Sequence, residues 1–261
     1  ENESAPTVTL ATSATSIAEN AGTSLTLTAT LSVATTADVT VALSTSGTAT
    51  EGTDYTDGSG NIDDIVISAG STTSTVSFTP TDDSLYDATS NETATIAISG
   101  VSGGSASESG TQSVTITITD NESAPTVTLA TSGTSIAENS ASTLTITATL
   151  SVATYQDVTV SIGSSGTATE GTDYGTVSDI TISAGATTGT TTLDPTDDNV
   201  YEGDETATID ISGVSGKSGV TENSTQQVSV TISENESTPT VTLATSATSI
   251  AENAGSSLTL T

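Results

Sequence analysis

Apolar residues recur at every second position along this chain, in short runs separated by Gly, Ser, Asn and Asp. Val8 and Leu10, then Leu25, Leu27, Ala29 and Leu31, alternate with Thr and Ser. The pattern continues through Val39, Val41 and Leu43, Ile65 and Ile67, Val76 and Phe78, Ile96 and Ile98, and Val114, Ile116 and Ile118. A period of two puts the apolar side chains on one face of a pleated strand, a surface that suits Val, Ile and Thr. No segment carries a helical stripe. The runs amount to about seven strands with Gly-rich turns between them, which predicts an all-β fold, an antiparallel two-sheet sandwich of immunoglobulin-like architecture.

The same pattern then begins again, with Leu144, Ile146, Ala148 and Leu150, with Val158, Val160 and Ile162, and with Val228, Val230 and Ile232. The phrase Pro-Thr-Val-Thr-Leu opens at Pro6, Pro125 and Pro239, and Ser-Ile-Ala-Glu-Asn follows each time. Self-similarity of this kind marks tandem repeats. Residues 1–122 are expected to form repeat 1, residues 123–236 repeat 2, and residues 237–261 the first strands of a third copy. The junctions Glu122-Ser123-Ala124-Pro125 and Glu236-Ser237-Thr238-Pro239 are short, and proline extends the residue before it, so both read as stiff joints. Two strands of a sandwich cannot bury their apolar face alone. The third copy is therefore expected to be completed by neighbouring repeats of the same chain or fibre, or by strand addition from an identical chain.

Charge changes the picture. The chain has 32 Asp plus Glu against a single basic residue, Lys217, and no His, for a net charge of −31. The acidic fraction is ordinary; the basic fraction is missing. Such a surface excludes nucleic acid and anionic membranes as partners, and no stretch approaches the roughly 20 apolar residues of a membrane span. With no Cys, no disulfide staples the domains.

The acids recur in register. In repeat 2, Glu138 follows the first strand and Asp173 lies after the third. Asp197 and Asp198 close the fifth strand, Glu202, Asp204 and Glu205 lie just beyond, and Glu234, Asn235 and Glu236 end the last strand. Odd-numbered strands of an antiparallel sandwich end at one pole, which predicts that these groups meet. Any one of them reads equally well as a solvated loop residue. Clustered carboxylates without cations repel one another, and a hard cation that takes six to eight oxygen ligands from several loops suits the repeated set.

Gly-Thr-Ala-Thr-Glu-Gly-Thr-Asp-Tyr (Gly47 to Tyr55, Gly166 to Tyr174), the Asp-Asp pairs, Glu202-Gly203-Asp204-Glu205 and the closing Asp120-Asn121-Glu122 together resemble the Calx-beta domain. The resemblance covers both full repeats and the partial third. It implies a seven-stranded sandwich that holds Ca²⁺ at one end. Carried over by position, it implies Glu19, Asp54, Asp82, Asp83, Asp87 and Asp120 as ligands in repeat 1, and Glu138, Asp173, Asp197, Asp198, Glu202 and Glu234 in repeat 2. Asp87 stands where repeat 2 has Glu202, followed by Ala88-Thr89-Ser90-Asn91-Glu92 in place of Gly-Asp-Glu, so repeat 1 is expected to hold fewer ions. Neither repeat closes on a run of aspartates, and the expected affinity is in the range of about 10⁻⁴ to 10⁻³ M typical of extracellular modules.

The functional expectation is a calcium-binding structural repeat of a giant extracellular adhesin or surface filament, a calcium-stiffened spacer in adhesion or matrix assembly. The alternative is a calcium-sensing regulatory domain pair. Catalysis is not expected: both repeats carry the same acids, and His and Cys are absent.

Overall fold

Each alternating run forms a strand, and the strands of one repeat build two sheets around a common core. The computed structural model describes residues 4–87, 91–253 and 255–261. In repeat 1 the strands are β1 (Thr7–Thr12), β2 (Ser16–Ala18), β3 (Leu25–Leu31), β4 (Val39–Gly47), β5 (Tyr55–Thr56), β6 (Ile65–Ile67), β7 (Thr73–Pro80), β8 (Leu85–Tyr86), β9 (Glu92–Ser102), β10 (Ser107–Glu108) and β11 (Ser113–Thr119). One sheet runs β10-β1-β3-β7-β5 and the other β2-β11-β9-β4-β6. Repeat 2 follows with β12 (Thr126–Thr131), β13 (Ser135–Ala137), β14 (Leu144–Leu150), β15 (Ala153–Thr154), β16 (Val158–Gly166), β17 (Ile180–Ile182), β18 (Thr188–Leu193), β19 (Glu205–Gly216), β20 (Thr221–Glu222) and β21 (Gln227–Ser233). Its sheets run β18-β14-β12-β20 and β13-β21-β19-β16-β17.

The antiparallel sandwich predicted from the alternation is present twice. The inward positions named above form two separate cores, and Val8, Leu27, Val41, Ile96 and Ile116 are fully buried in the first. Tyr55 stacks on Phe78 at 4.7 Å between ring centroids; in repeat 2 Leu193 takes the place of Phe78 beneath Tyr174. Strands of two or three residues, too short to show alternation, complete the edges.

One of these short strands positions the chemistry. After β1 the chain crosses to the other sheet, and β2 pairs parallel with β11, with Ile17 opposite Ile118. The pairing continues one residue further, where the Glu19 amide donates to the Thr119 carbonyl at 3.1 Å. Glu19 therefore sits against the end of the last strand. Repeat 2 repeats this, with Ile136 opposite Ile232 and the Glu138 amide on Ser233.

Residues 237–261 do not build a core: Val241 is 98 % exposed and Leu243 79 %, and Thr245 and Leu260 form an isolated bridge. Among the described residues no helix is long and apolar enough to cross a membrane.

Candidate metal centre

In repeat 1 the crossover brings Glu19 to Asp120 and Glu122, and one oxygen of each lies within 4.8 Å of the other two. The group is half-buried. Asp120 is held from both sides: its Oδ2 accepts the Asp87 amide at 2.7 Å and its Oδ1 the Glu122 amide at 2.8 Å. Glu19 Oε1 and Glu122 Oε2 are buried with no donor facing them. Two acceptors in that position need either a proton or a cation between them. Accordingly, burial and then the facing Glu122 carboxyl push the Glu19 pKa up to about 8.

Repeat 2 contains two such groups. Glu138, Glu234 and Glu236 form the counterpart of the first, and Asp173, Glu202 and Glu205 form a second. Glu234 is tightly fixed by backbone donors: Oε1 accepts the Glu236 amide and Oε2 the amides of Glu202 and Gly203, at 2.6 to 2.9 Å. These bonds favour the charged form and hold its pKa down at about 2. The carboxyl of Glu236 is pushed the other way, to about 7, first by its contact with Glu234 and then by desolvation. Its Oε2 is also buried without a partner. Desolvation, then the adjacent Asp173, raise Glu205 to about 7.

The other candidate residues fall around these groups. Glu138 Oε1 accepts the Asp198 amide at 3.1 Å, while Asp198 Oδ1 caps its own turn by accepting the Val200 amide. Asp83 Oδ1 does the same for Leu85. Asp54 and Asp173 each accept an amide four residues back, from Thr50 and Thr169, at 2.6 Å. Asp82 and Asp197 are exposed on the loop. Asp54, Asp83, Asp87 and Asp120 line one cavity of about 470 Å³ together with Glu19 and Glu92. Glu122, Glu205 and Glu236 belong to these triads and Glu92 lines the cavity of repeat 1, but all four fall outside the ligand set carried over from the resemblance. Glu92 and Glu205 begin the strands β9 and β19, so a polar face of a strand, rather than a loop signature, marks them.

The donor set is all oxygen, partly buried and unpaired by any cation at these triads, which fits a hard divalent ion. Other repeated acids have ordinary structural work. Asp64 and Asp179 each accept the amide of the bulged residue, Leu43 or Ile162, where the β4–β9 and β16–β19 registers shift.

A sequence model of the Calx-beta domain matches residues 1–122 and again residues 120–236. No curated protein matches the chain. Among solved structures, the chain is similar to CBD12 from CALX1.2, at 16 % identity over 87 % of this chain and 100 % of that one, TM-score 0.39. It is similar to the apo-form Calx CBD1 domain, at 20 % identity over 43 % and 99 % of the two chains, TM-score 0.36. It is also similar to invasin, a bacterial integrin-binding protein, at 18 % identity over 87 % and 39 %, TM-score 0.39.

Proposed function

The chain belongs to the Calx-beta domain family, and from that premise we propose that its repeats are calcium-binding structural modules, spacers in an extracellular adhesin or surface filament. The observation that carries the reading is the set of buried carboxylate oxygens with no donor: Glu19 Oε1, Glu122 Oε2 and Glu236 Oε2. Glu19, Asp120 and Glu122 would hold an ion in repeat 1. In repeat 2 the holders would be Glu138, Glu234 and Glu236, with Asp173, Glu202 and Glu205 forming a second place. The ion would tie the β2 crossover, the end of the last strand and the loop after Asp83 or Asp198 into one rigid pole. Sites with the weak affinity expected from the sequence would fill only where calcium is millimolar, which supports an extracellular setting. The role is one of binding and stiffening, with no catalytic step: the acids stand in tight triads rather than as a pair flanking a cleft.

Thermal melts of the full chain test this. Calcium at millimolar concentration raises Tm relative to chelator, because a ligand of the folded state stabilises by mass action. Magnesium does so poorly, being reluctant to shed water for a multi-carboxylate site. Superimposable melts with calcium and with chelator overturn the reading.

A further inference from the structure

Lys217 is the one basic side chain in the sequence, and it reaches from repeat 2 to Asp87 of repeat 1. It follows Gly216, whose φ of 100° and whose approach to the Asp157 carbonyl (2.3 Å from an added Cβ) admit only glycine. That turn sends Lys217 out of the end of repeat 2 that faces repeat 1. The side chain is nevertheless fully buried. Its Nζ donates to the Asp87 carbonyl at 3.0 Å and to Asp87 Oδ1 at 3.1 Å. It also lies 3.9 Å from the ring centroid of Tyr155 in repeat 2, and 5.6 Å from that of Tyr86 in repeat 1. Alongside, β8 pairs parallel with β15, Leu85 opposite Ala153 and Tyr86 opposite Thr154. Gly219 leaves room for the Tyr86 hydroxyl, which would stand 2.4 Å from a Cβ there. Tyr155 closes one wall of the acidic cavity of repeat 1.

A buried ammonium is stable only where charge and hydrogen bonds replace its water, and two aromatic faces add to that. We propose that Lys217 is the built-in cation of the inter-repeat joint, inserted by repeat 2 between Tyr86 and Tyr155 onto Asp87, so that the two repeats stay locked with no metal bound. Asp87 occupies the position of Glu202. In repeat 2 that residue joins Asp173 and Glu205 in a triad; among the described residues of repeat 1, Asp54, Asp87 and Glu92 form no such triad, and Asp87 faces the ammonium instead. The interaction surface is directional. Repeat 1 has Thr36 and Gly104 where repeat 2 has Tyr155 and Lys217, so its own upper end offers neither ring nor cation. Its partner surface is a Tyr-Asp edge: Tyr86 is 5 % exposed under repeat 2, whereas the corresponding Tyr201 is 42 % exposed.

Spin labels on Ser71→Cys and Ser142→Cys, both exposed, report the inter-repeat distance in the otherwise cysteine-free full chain. In chelator, the parent chain gives a single narrow distance distribution. Lys217→Gln and, independently, Tyr155→Thr broaden it about twofold, since repeats without a firm interface move relative to each other. Far-UV circular dichroism and the melting of each sandwich stay as in the parent. A parent chain as broad as Lys217→Gln in chelator, or a Lys217→Gln chain as narrow as the parent, overturns the proposal. Because every arm is metal-free, failure of calcium binding leaves this outcome untouched, and the two ideas fall separately.

Discussion

The acidic poles of the two repeats share the crossover pairing and gather different side chains around it. Repeat 2 has a short connection from Tyr201 to Glu205, with Gly203 at φ 84°, and it delivers Glu202 and Glu205 to Asp173. Repeat 1 has a longer connection from Tyr86 to Glu92, of which residues 88–90 lie outside the described ones, and its Asp87 is taken by Lys217. The crossover triad, Glu19-Asp120-Glu122 or Glu138-Glu234-Glu236, is common to both. The invariant part of the pole is fixed by strand pairing, and the variable part by a loop and by whichever domain sits on it. The carboxylates left available at a pole are thus set by the joint as much as by the sandwich.

The sharpest way to break that comparison is to count ions. Glu205→Gln should remove one bound calcium from the full chain, because it takes a carboxylate from a triad that, among the described residues, has no counterpart in repeat 1. Glu92→Gln, its positional equivalent, should leave the count unchanged. Calorimetric titration of the parent and both variants reads the stoichiometry directly. Equal losses at Glu92 and Glu205 would mean that both poles carry the second site and that Lys217 does not replace it.

The sandwich was legible in the sequence because alternation is a local signal: of the seven runs of repeat 1, six became strands of six residues or more, and the seventh, at Ile65–Ile67, a strand of three. The pole was legible as a region, since most of its acids follow strand ends, Glu92 and Glu205 being the ones that begin a strand. Its membership was harder to read. Asp64, Asp179, Asp38 and Asp157 recur in register as faithfully as any candidate ligand, yet each accepts a backbone amide. Repetition alone does not separate a cap from a ligand, because a bulge needs its acceptor in every copy too. Nor does spacing show that a lysine 130 residues away completes the environment of Asp87. The expected shortfall of repeat 1 rested on the reach of one side chain; the structure adds the cation that sits there.

Proton linkage sharpens the contrast without mutation. In the metal-free chain Glu19, at about 8, and Glu92, at about 7, are raised above 4.5 by burial and neighbouring acids in repeat 1. In repeat 2, Glu205 and Glu236 are raised to about 7, while Glu234 is lowered to about 2. A raised folded-state pKa gives stability that is complete below about 4.5 and is lost as pH climbs through the folded value. The lowered Glu234 acts oppositely, giving stability above about 4.5 that is lost as pH falls toward 2. Chelated chain should therefore melt lower at pH 8.5 than at pH about 5.5 in both repeats. Calcium in excess should reverse the slope, because protons compete for the same oxygens. Melts across this range, with and without chelator, check both signs.

The smallest effect is expected where the two repeats should not differ at all. Asp38 Oδ1 accepts the Ala69 amide and Asp157 Oδ1 the Ala184 amide, each at 2.8 Å, and the backbone carbonyl of each lies beside the turn at Gly103 or Gly216. In each repeat that end lies opposite the repeat's own crossover triad. Replacing either by Ala leaves one exposed amide to water and should destabilise its repeat by about 1 kcal/mol, the usual net worth of such a bond. Calcium stoichiometry and affinity should not move. Asp157→Ala adds one consequence that Asp38→Ala lacks, because the Asp157 carboxylate anchors the segment that carries Tyr155 into the joint. Denaturant melts measure the common loss, and the inter-repeat distance measures the difference. A change in calcium binding at either position would mean that acids at both ends of the sandwich are coupled, and the division into structural caps and metal-binding triads would have to be withdrawn.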